Sequence, residues 1–230
     1  MSVPICVIVG AGPGNGAAFA RRFSSAGYSV ALLARRQEGL DVLTREIAGT
    51  RAYACDATSA ADAAAVFARI REEMGTPQTL SYNASTREFG DIDATTPEAF
   101  EGAGRVNAYG LLLAAKQVVP AMRAAGSGSI IVIGATASLK GAAGFVSFAS
   151  AKAAQRSLAQ SMARKLGPEG IHVAYVIIDA MVDMPASRAM VPDAPDSFFA
   201  RPDDIAESVF FLAHQPRSAW TFELDLRPFG

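Results

Sequence analysis

A chain of 230 residues, 50% hydrophobic and 19% charged, is globular in composition; this excludes disorder, and a chain of this size buries roughly 70% of its unfolded surface in one domain without staples. Lys plus Arg number 21 and Asp plus Glu 22, a net charge of −1, which excludes the basic footprint of a nucleic-acid binder. Two cysteines, Cys6 and Cys55, exclude a disulfide scaffold, and the apolar start lacks a basic n-region, so a reduced cytoplasmic setting is expected. Ile5 to Val9 reads as a buried strand that runs into Gly10-Ala11-Gly12-Pro13-Gly14-Asn15-Gly16. Asn15 to Ala26 reads as a helix, with Phe19 and Phe23 on one face. Val30 to Ala34 is a second strand, Leu40 to Ile47 a helix, Ala52 to Cys55 a third strand, and Ser59 caps a helix that continues to Met74. Then follow a strand at Thr79 to Tyr82, a long helix at Arg105 to Ala125 bent at Pro120, and a strand at Ile130 to Ile133. Phe148 to Leu166 is a second long helix, Val173 to Ile178 a strand, Asp203 to His214 a helix and Phe222 to Leu226 a last strand.

Repeated β-α-β units predict a parallel sheet of about seven strands with helices on both faces, an α/β fold in a single domain spanning 1–230. No run of eighteen apolar residues is present, so no membrane partner is expected. The irregular stretch 181–201, rich in proline, lies between a strand and a helix and is expected to be a substrate loop. Gly10, Gly14 and Gly16 follow a strand and open a helix, a context in which backbone N–H groups and the helix dipole receive a pyrophosphate. No Gly-Lys-Ser/Thr follows them, so this is not a Walker loop. The second strand ends at Ala34-Arg35-Arg36. An acid there accepts from a ribose 2′-hydroxyl, whereas an arginine accommodates a 2′-phosphate, so NADP(H) is expected in preference to NAD(H).

Several segments together resemble the short-chain dehydrogenase/reductase family. The glycine segment resembles the family's Gly-xxx-Gly-x-Gly turn, although Val9 stands where Thr is common. Asp56, followed by Ala57, resembles the acid that contacts the adenine. Tyr82-Asn83-Ala84-Ser85 resembles the Asn-Asn-Ala-Gly segment with its first Asn and its Gly changed. Val106-Asn107 resembles the segment carrying the active-site Asn, and Arg201-Pro202-Asp203-Asp204-Ile205-Ala206 the opening of the last long helix. The resemblance implies a Rossmann-type doubly wound sheet and hydride transfer between a nicotinamide cofactor and a small organic substrate. It also implies cofactor contacts at Gly10, Gly14, Asn15, Gly16, Arg35, Arg36, Asp56, Ala57, Asn83, Ala84, Ser85 and Lys152.

The catalytic residues depart from the family pattern. The family uses Tyr-xxx-Lys, with a Ser thirteen residues before the Tyr. Lys152 and Asn107 match, Asn107 being expected to orient a water that feeds the proton relay, but Phe148 stands at the Tyr position and Ala135 at the Ser position. The family's Pro-Gly after the sixth strand is Ile178-Asp179, which makes Asp179 a candidate replacement acid; a loop cap or an ion-paired carboxylate is the plainer reading. The resemblance therefore implies a divergent subgroup: an NADP(H)-dependent oxidoreductase with a degenerate tetrad, the alternative being a cofactor-binding protein without turnover, a sensor or a structural partner. Tyr175, Cys6 and Cys55 read as core, and His172 and His214 lack metal-ligand spacing, so no metal is expected. Ala108, Ala114, Ala115, Ala151, Ala154 and Ala159 on the two long helices, with the family's habit of pairing them, predict a homodimer or homotetramer.

Overall fold

The computed structural model of the chain describes residues 3–86 and 88–229. Strands form at β1 (Ile5–Val9), β2 (Ser29–Ala34), β3 (Thr50–Ala54), β4 (Thr79–Tyr82), β5 (Gly128–Ala135), β6 (Ile171–Ile178), β7 (Met181–Val182), β8 (Phe199–Ala200) and β9 (Glu223–Leu226). Helices form at α1 (Asn15–Ser25), α2 (Gln37–Glu46), α3 (Ala60–Glu73), α4 (Pro97–Gly104), α5 (Gly110–Ala125), α6 (Val146–Leu166), α7 (Pro185–Met190) and α8 (Pro202–Ala213). The main sheet has the order β3-β2-β1-β4-β5-β6-β9, and every pairing in it is parallel.

Successive residues of each strand point to opposite faces, so each strand supplies two cores. Cys6 and Ile8 of β1 face α1, α2 and α8 together with Phe19, Phe23, Leu40 and Val209. Val7 and Val9 face α3, α5 and α6 together with Val66, Phe67, Leu111 and Val118. Burial on both faces is why these strands read as unbroken apolar runs rather than alternating ones. A fully buried Phe such as Phe19 or Phe23 contributes about 1.5–3 kcal/mol over its exposed state. Both cysteines are free and buried.

The expected elements are present, with three differences. Before the long helix expected from Arg105, α4 already begins at Pro97; the Thr96 hydroxyl caps it by accepting from the Ala99 N–H, and Pro97 occupies the first turn. Between α4 and α5 the helix widens to a π turn over Arg105–Tyr109. The stretch 181–201 is not an irregular loop. β7 pairs with β8, α7 lies between them, and Arg188 ties the excursion together through Asp183 at 2.6 Å and Asp196 at 2.7 Å.

The sheet order reverses between β1 and β4, both of which pair with their neighbours in parallel. In an open α/β sheet the crevice at the C-terminal ends of the strands flanking that reversal is where ligands bind. No helix among the described residues is long and apolar enough to cross a membrane, and no group of three His, Cys, Asp or Glu side chains among them is placed to hold a metal ion.

Candidate active site

A cleft of about 510 Å³ opens at this switch point. It is lined by Gly10 to Pro13, by Ala34, Arg35 and Arg36 at the end of β2, by Asp56 to Thr58 after β3, and by Asn83 to Thr86 after β4. Segments far apart in the chain are thus brought to one rim because four parallel strands, β3, β2, β1 and β4, end side by side.

The glycines of the turn are required by space. Gly10 has φ +89°, and a Cβ there would lie 2.4 Å from the Ala84 nitrogen. A Cβ on Gly16 would lie 2.8 Å from the Ala11 Cα, and one on Gly14 would lie 2.8 Å from the Met184 sulfur. The 181–201 excursion therefore lies over the glycine turn. The N–H groups of Gly10 and Ala11 both donate to the Leu33 carbonyl, at 2.9 and 3.0 Å. The Asn83 amide donates to the Gly10 carbonyl at 2.8 Å, so Asn83 holds the turn in place. Asn15 Oδ1, at the start of α1, is buried without a hydrogen-bond partner among the described residues. Tight glycines and the N-terminus of α1 together fit a pyrophosphate-bearing dinucleotide, while Asn15 Oδ1 is open to a donor such as a ribose hydroxyl. Asp56 accepts from the Thr58 N–H at 2.9 Å and from its hydroxyl at 2.8 Å; these bonds hold the Asp56 carboxyl below its ordinary range, with Arg35 and Arg105 adding to the effect.

Behind the cleft a buried polar chain links four elements. Ser85 donates to Asn107 Oδ1 at 3.0 Å, and the Asn107 amide donates to the Ala103 carbonyl at 3.0 Å. The Asn107 main-chain carbonyl accepts from Gln155 Nε2 at 3.1 Å. Lys152 Nζ donates to the Ile133 carbonyl at 2.9 Å and to Gln155 Oε1 at 3.1 Å. Burial pulls the Lys152 ammonium down to about 7 from an ordinary 10.5. Two of its three N–H donors are used.

Phe148 lies one helical turn before Lys152, with the ring centroid 5.9 Å from Nζ. Phe89 and Phe145 pack around it with centroids 5.4 and 6.0 Å away. The Gly90 N–H donates to the Gly144 carbonyl at 2.8 Å, which stitches the segment after β4 to the start of α6. Ala135 ends β5. Asp179 is an ion-paired carboxylate: it accepts from the Thr136 hydroxyl at 2.6 Å and lies 3.3 Å from Arg227. It is therefore arranged as an acceptor and not as the replacement acid. Tyr175 is core, and its ring fills the space that a Cβ on Gly134 would need. His172 sits between the Leu212 and Thr221 carbonyls. His214 bonds to the Phe210 carbonyl and to Tyr28.

Gln155, Thr136 and Met184 were not singled out by the sequence. Gln155 carried a signal, since it lies three residues after Lys152 on the same helical face; Thr136 and Met184 carried none. Of the six alanines expected to form an interface, Ala114, Ala115, Ala151 and Ala159 are buried within the chain itself.

Residues 4–192 match the family model described as short chain dehydrogenase. The chain is 30% identical to a cis-4-hydroxycyclohexanecarboxylate dehydrogenase of Sinomonas cyclohexanicum, over 93% of this chain and 90% of the relative. It is 29% identical to a 2-(R)-hydroxypropyl-CoM dehydrogenase of Xanthobacter autotrophicus, over 91% of this chain and 90% of the relative. Among solved structures, a short-chain dehydrogenase from Rhodopseudomonas palustris superposes with a TM-score of 0.85 at 32% identity, covering 98% of this chain and 99% of that one. A metagenomic short-chain oxidoreductase in complex with NADP superposes at 0.86 and 28% identity, covering 100% and 99%. A family match over most of the chain, joined to a cleft lined by the glycine turn at the switch point of the sheet, leads to one conclusion: the chain belongs to the short-chain dehydrogenase family and has the architecture of its oxidoreductases.

Proposed function

We propose that the chain is an NADP(H)-dependent oxidoreductase acting on a small organic substrate, with a site that has lost two family hydroxyls. The observation that carries the cofactor assignment is the end of β2, where Ala34 leaves no acid and Arg35 and Arg36 border the cleft. A charge-assisted hydrogen bond to a 2′-phosphate contributes about 1.5–3 kcal/mol. The neighbour in complex with NADP is consistent with this choice. In this reading Gly10, Gly14, Asn15 and Gly16 receive the pyrophosphate, and Asp56 and Ala57 hold the adenine. Asn83, Ala84 and Ser85 form the floor, and Lys152 turns its third N–H toward a ribose hydroxyl. The excursion at 181–201, lying over Gly14 through Met184, closes the substrate side. Bound there, the nicotinamide supplies the hydride chemistry.

Phe148 and Ala135, at the family's Tyr and Ser positions, can neither donate a proton nor hold a substrate oxygen. A positioned acid contributes about 10²–10⁴-fold, so ordinary carbonyl reduction is slow. One observation favours a second reading, a cofactor-binding protein without turnover: Lys152 Nζ is turned inward to Ile133 and Gln155. Nicotinamide absorbance followed with panels of ketones and enones (with NADPH) and of alcohols (with NADP+) separates the two. Turnover of any panel member supports the oxidoreductase; tight cofactor binding with no turnover supports the second reading.

A further inference from the structure

Gln155 is wholly buried on α6, and both ends of its side-chain amide are engaged. Nε2 donates to the Asn107 main-chain carbonyl at 3.1 Å, and Oε1 accepts from Lys152 Nζ at 3.1 Å. Chemistry fixes this orientation. A carbonyl oxygen only accepts, so the amide must turn its N–H toward Asn107, which leaves its oxygen for Lys152. Asn107 is itself tied to the cleft, because its Oδ1 accepts from Ser85 at 3.0 Å and Ser85 lines the cleft. Gln155 thus joins the rim of the cleft to Lys152, which is 3% exposed.

An ammonium has three N–H groups; a neutral amine has two and a lone pair. The Ile133 carbonyl and Gln155 Oε1 take two N–H groups in either form. Protonation therefore changes only the third position, which is a donor when charged and a lone pair when neutral. The charged groups on the elements around Lys152 are engaged elsewhere: Arg156 of α6 with Glu223 of β9 at 2.5 Å, and Glu101 of α4 with Arg105 of the π turn at 3.8 Å. Tyr175 of β6 lies with its hydroxyl 3.3 Å from the Lys152 main-chain carbonyl and 3.5 Å from Gln155 Oε1. No charge acts on Lys152, and burial alone brings it to about 7. A carboxylate at position 155 would lock in the ammonium. An apolar side chain would remove an acceptor that favours the charged form over the neutral one. The neutral amide leaves the choice to whatever meets the third position.

We propose that Gln155 is a positioning residue: it holds Lys152 Nζ so that one position remains for the cofactor, and because it brings no charge, binding of the polyanionic cofactor is coupled to uptake of a proton by Lys152. This rests on the reading above that places NADP(H) in the cleft with the third N–H of Lys152 at a ribose hydroxyl. The test is calorimetric titration of NADPH from pH 6.5 to 9, in buffers of different ionisation heat, for the parent, Gln155→Met and Lys152→Met. At pH 8 the parent takes up about half a proton more per NADPH than Lys152→Met, and its affinity falls about tenfold between pH 7 and 9 relative to that variant. The 2′-phosphate and the other titrating groups are common to the three proteins and cancel in the comparison. Gln155→Met moves the fall in affinity toward acid by about one pH unit. A glutamine that only supports the fold would cost stability in urea and leave that pH where it is. Urea denaturation shows whether Gln155→Met is folded, and Gln155→Leu takes its place if it is not. No excess proton uptake in the parent, which needs no change at position 155, overturns the proposal; so does a fall in affinity that stays at the parent's pH when Gln155 is replaced. Absence of NADPH binding by the parent overturns the cofactor reading and this assignment with it, whereas binding with an unmoved pH profile overturns this assignment alone.

Discussion

Replacing Lys152 with Met tests the buried polar chain through its dependence on pH. In the folded chain Lys152 Nζ is enclosed with two carbonyl-type acceptors and no carboxylate, and burial lowers its pKa to about 7 from 10.5. Unfolding returns the side chain to water and to its ordinary value. For a base lowered in the folded state, the unfolded chain binds the extra proton between the two values, so stability rises with pH across that window and the cost is full below it. At about 1.4 kcal/mol per pH unit, and allowing for half-protonation near 7, the parent gains about 1.5 kcal/mol between pH 7 and 8.5 from this residue. Lys152→Met keeps the length of the side chain and abolishes the titration. The assay is urea denaturation of both proteins at the two pH values. Titrating groups shared by the two chains, such as Cys55 and Tyr53, cancel in the difference. A parent-minus-variant difference that stays constant over this interval, or that moves in the opposite direction, refutes a buried lysine with a lowered pKa.

Three further outcomes follow from the geometry. Phe148→Tyr with Ala135→Ser restores both family hydroxyls on a frame already in place and raises NADPH-dependent reduction of an activated ketone by at least about tenfold, a fraction of what a positioned acid supplies; each single change does little, because groups acting as a unit are non-additive. Gly10→Ala brings a Cβ within 2.4 Å of backbone at φ +89°, so thermal denaturation shows a loss of about 1–3 kcal/mol and calorimetry a loss of NADPH binding. Leu112, 38% exposed, lines an apolar groove of about 430 Å³ between α5 and α6 with Val119, Pro120 and Met162; if the expected homodimer or homotetramer uses this groove, light scattering finds an oligomer that Leu112→Glu dissociates.

Much of the cofactor half of the site was legible in the sequence because local rules govern it. Gly10 and Gly16 are read from the turn they must make, and the arginines from the end of an apolar strand. Asp56 and Asn83 are named from family resemblance; Asn83 bonds to Gly10 and Asp56 lines the same cleft, since parallel strands carry their C-terminal ends to one edge. The substrate half was less legible because it depends on contacts between distant segments. Gln155 meets the Asn107 carbonyl across 48 residues, and nothing near Asn107 announces a π turn. The start of α4 was missed although Thr96-Pro97-Glu98 carries a cap, a first-turn proline and a first-turn acid. The prolines of 181–201 suggested irregular chain, yet the Arg188 ion pairs and the β7–β8 pairing order it.

The central claim, that this cleft holds NADP(H) through the cation at the end of β2, is tested most directly by calorimetric titration of the parent and of Arg35→Ala with NADPH and with NADH. The account predicts that the parent binds NADPH more tightly than NADH, and that Arg35→Ala weakens NADPH by about 10- to 150-fold while leaving NADH nearly unchanged. Equal affinities for the two cofactors in the parent, or NADPH binding that survives the loss of Arg35, would contradict it.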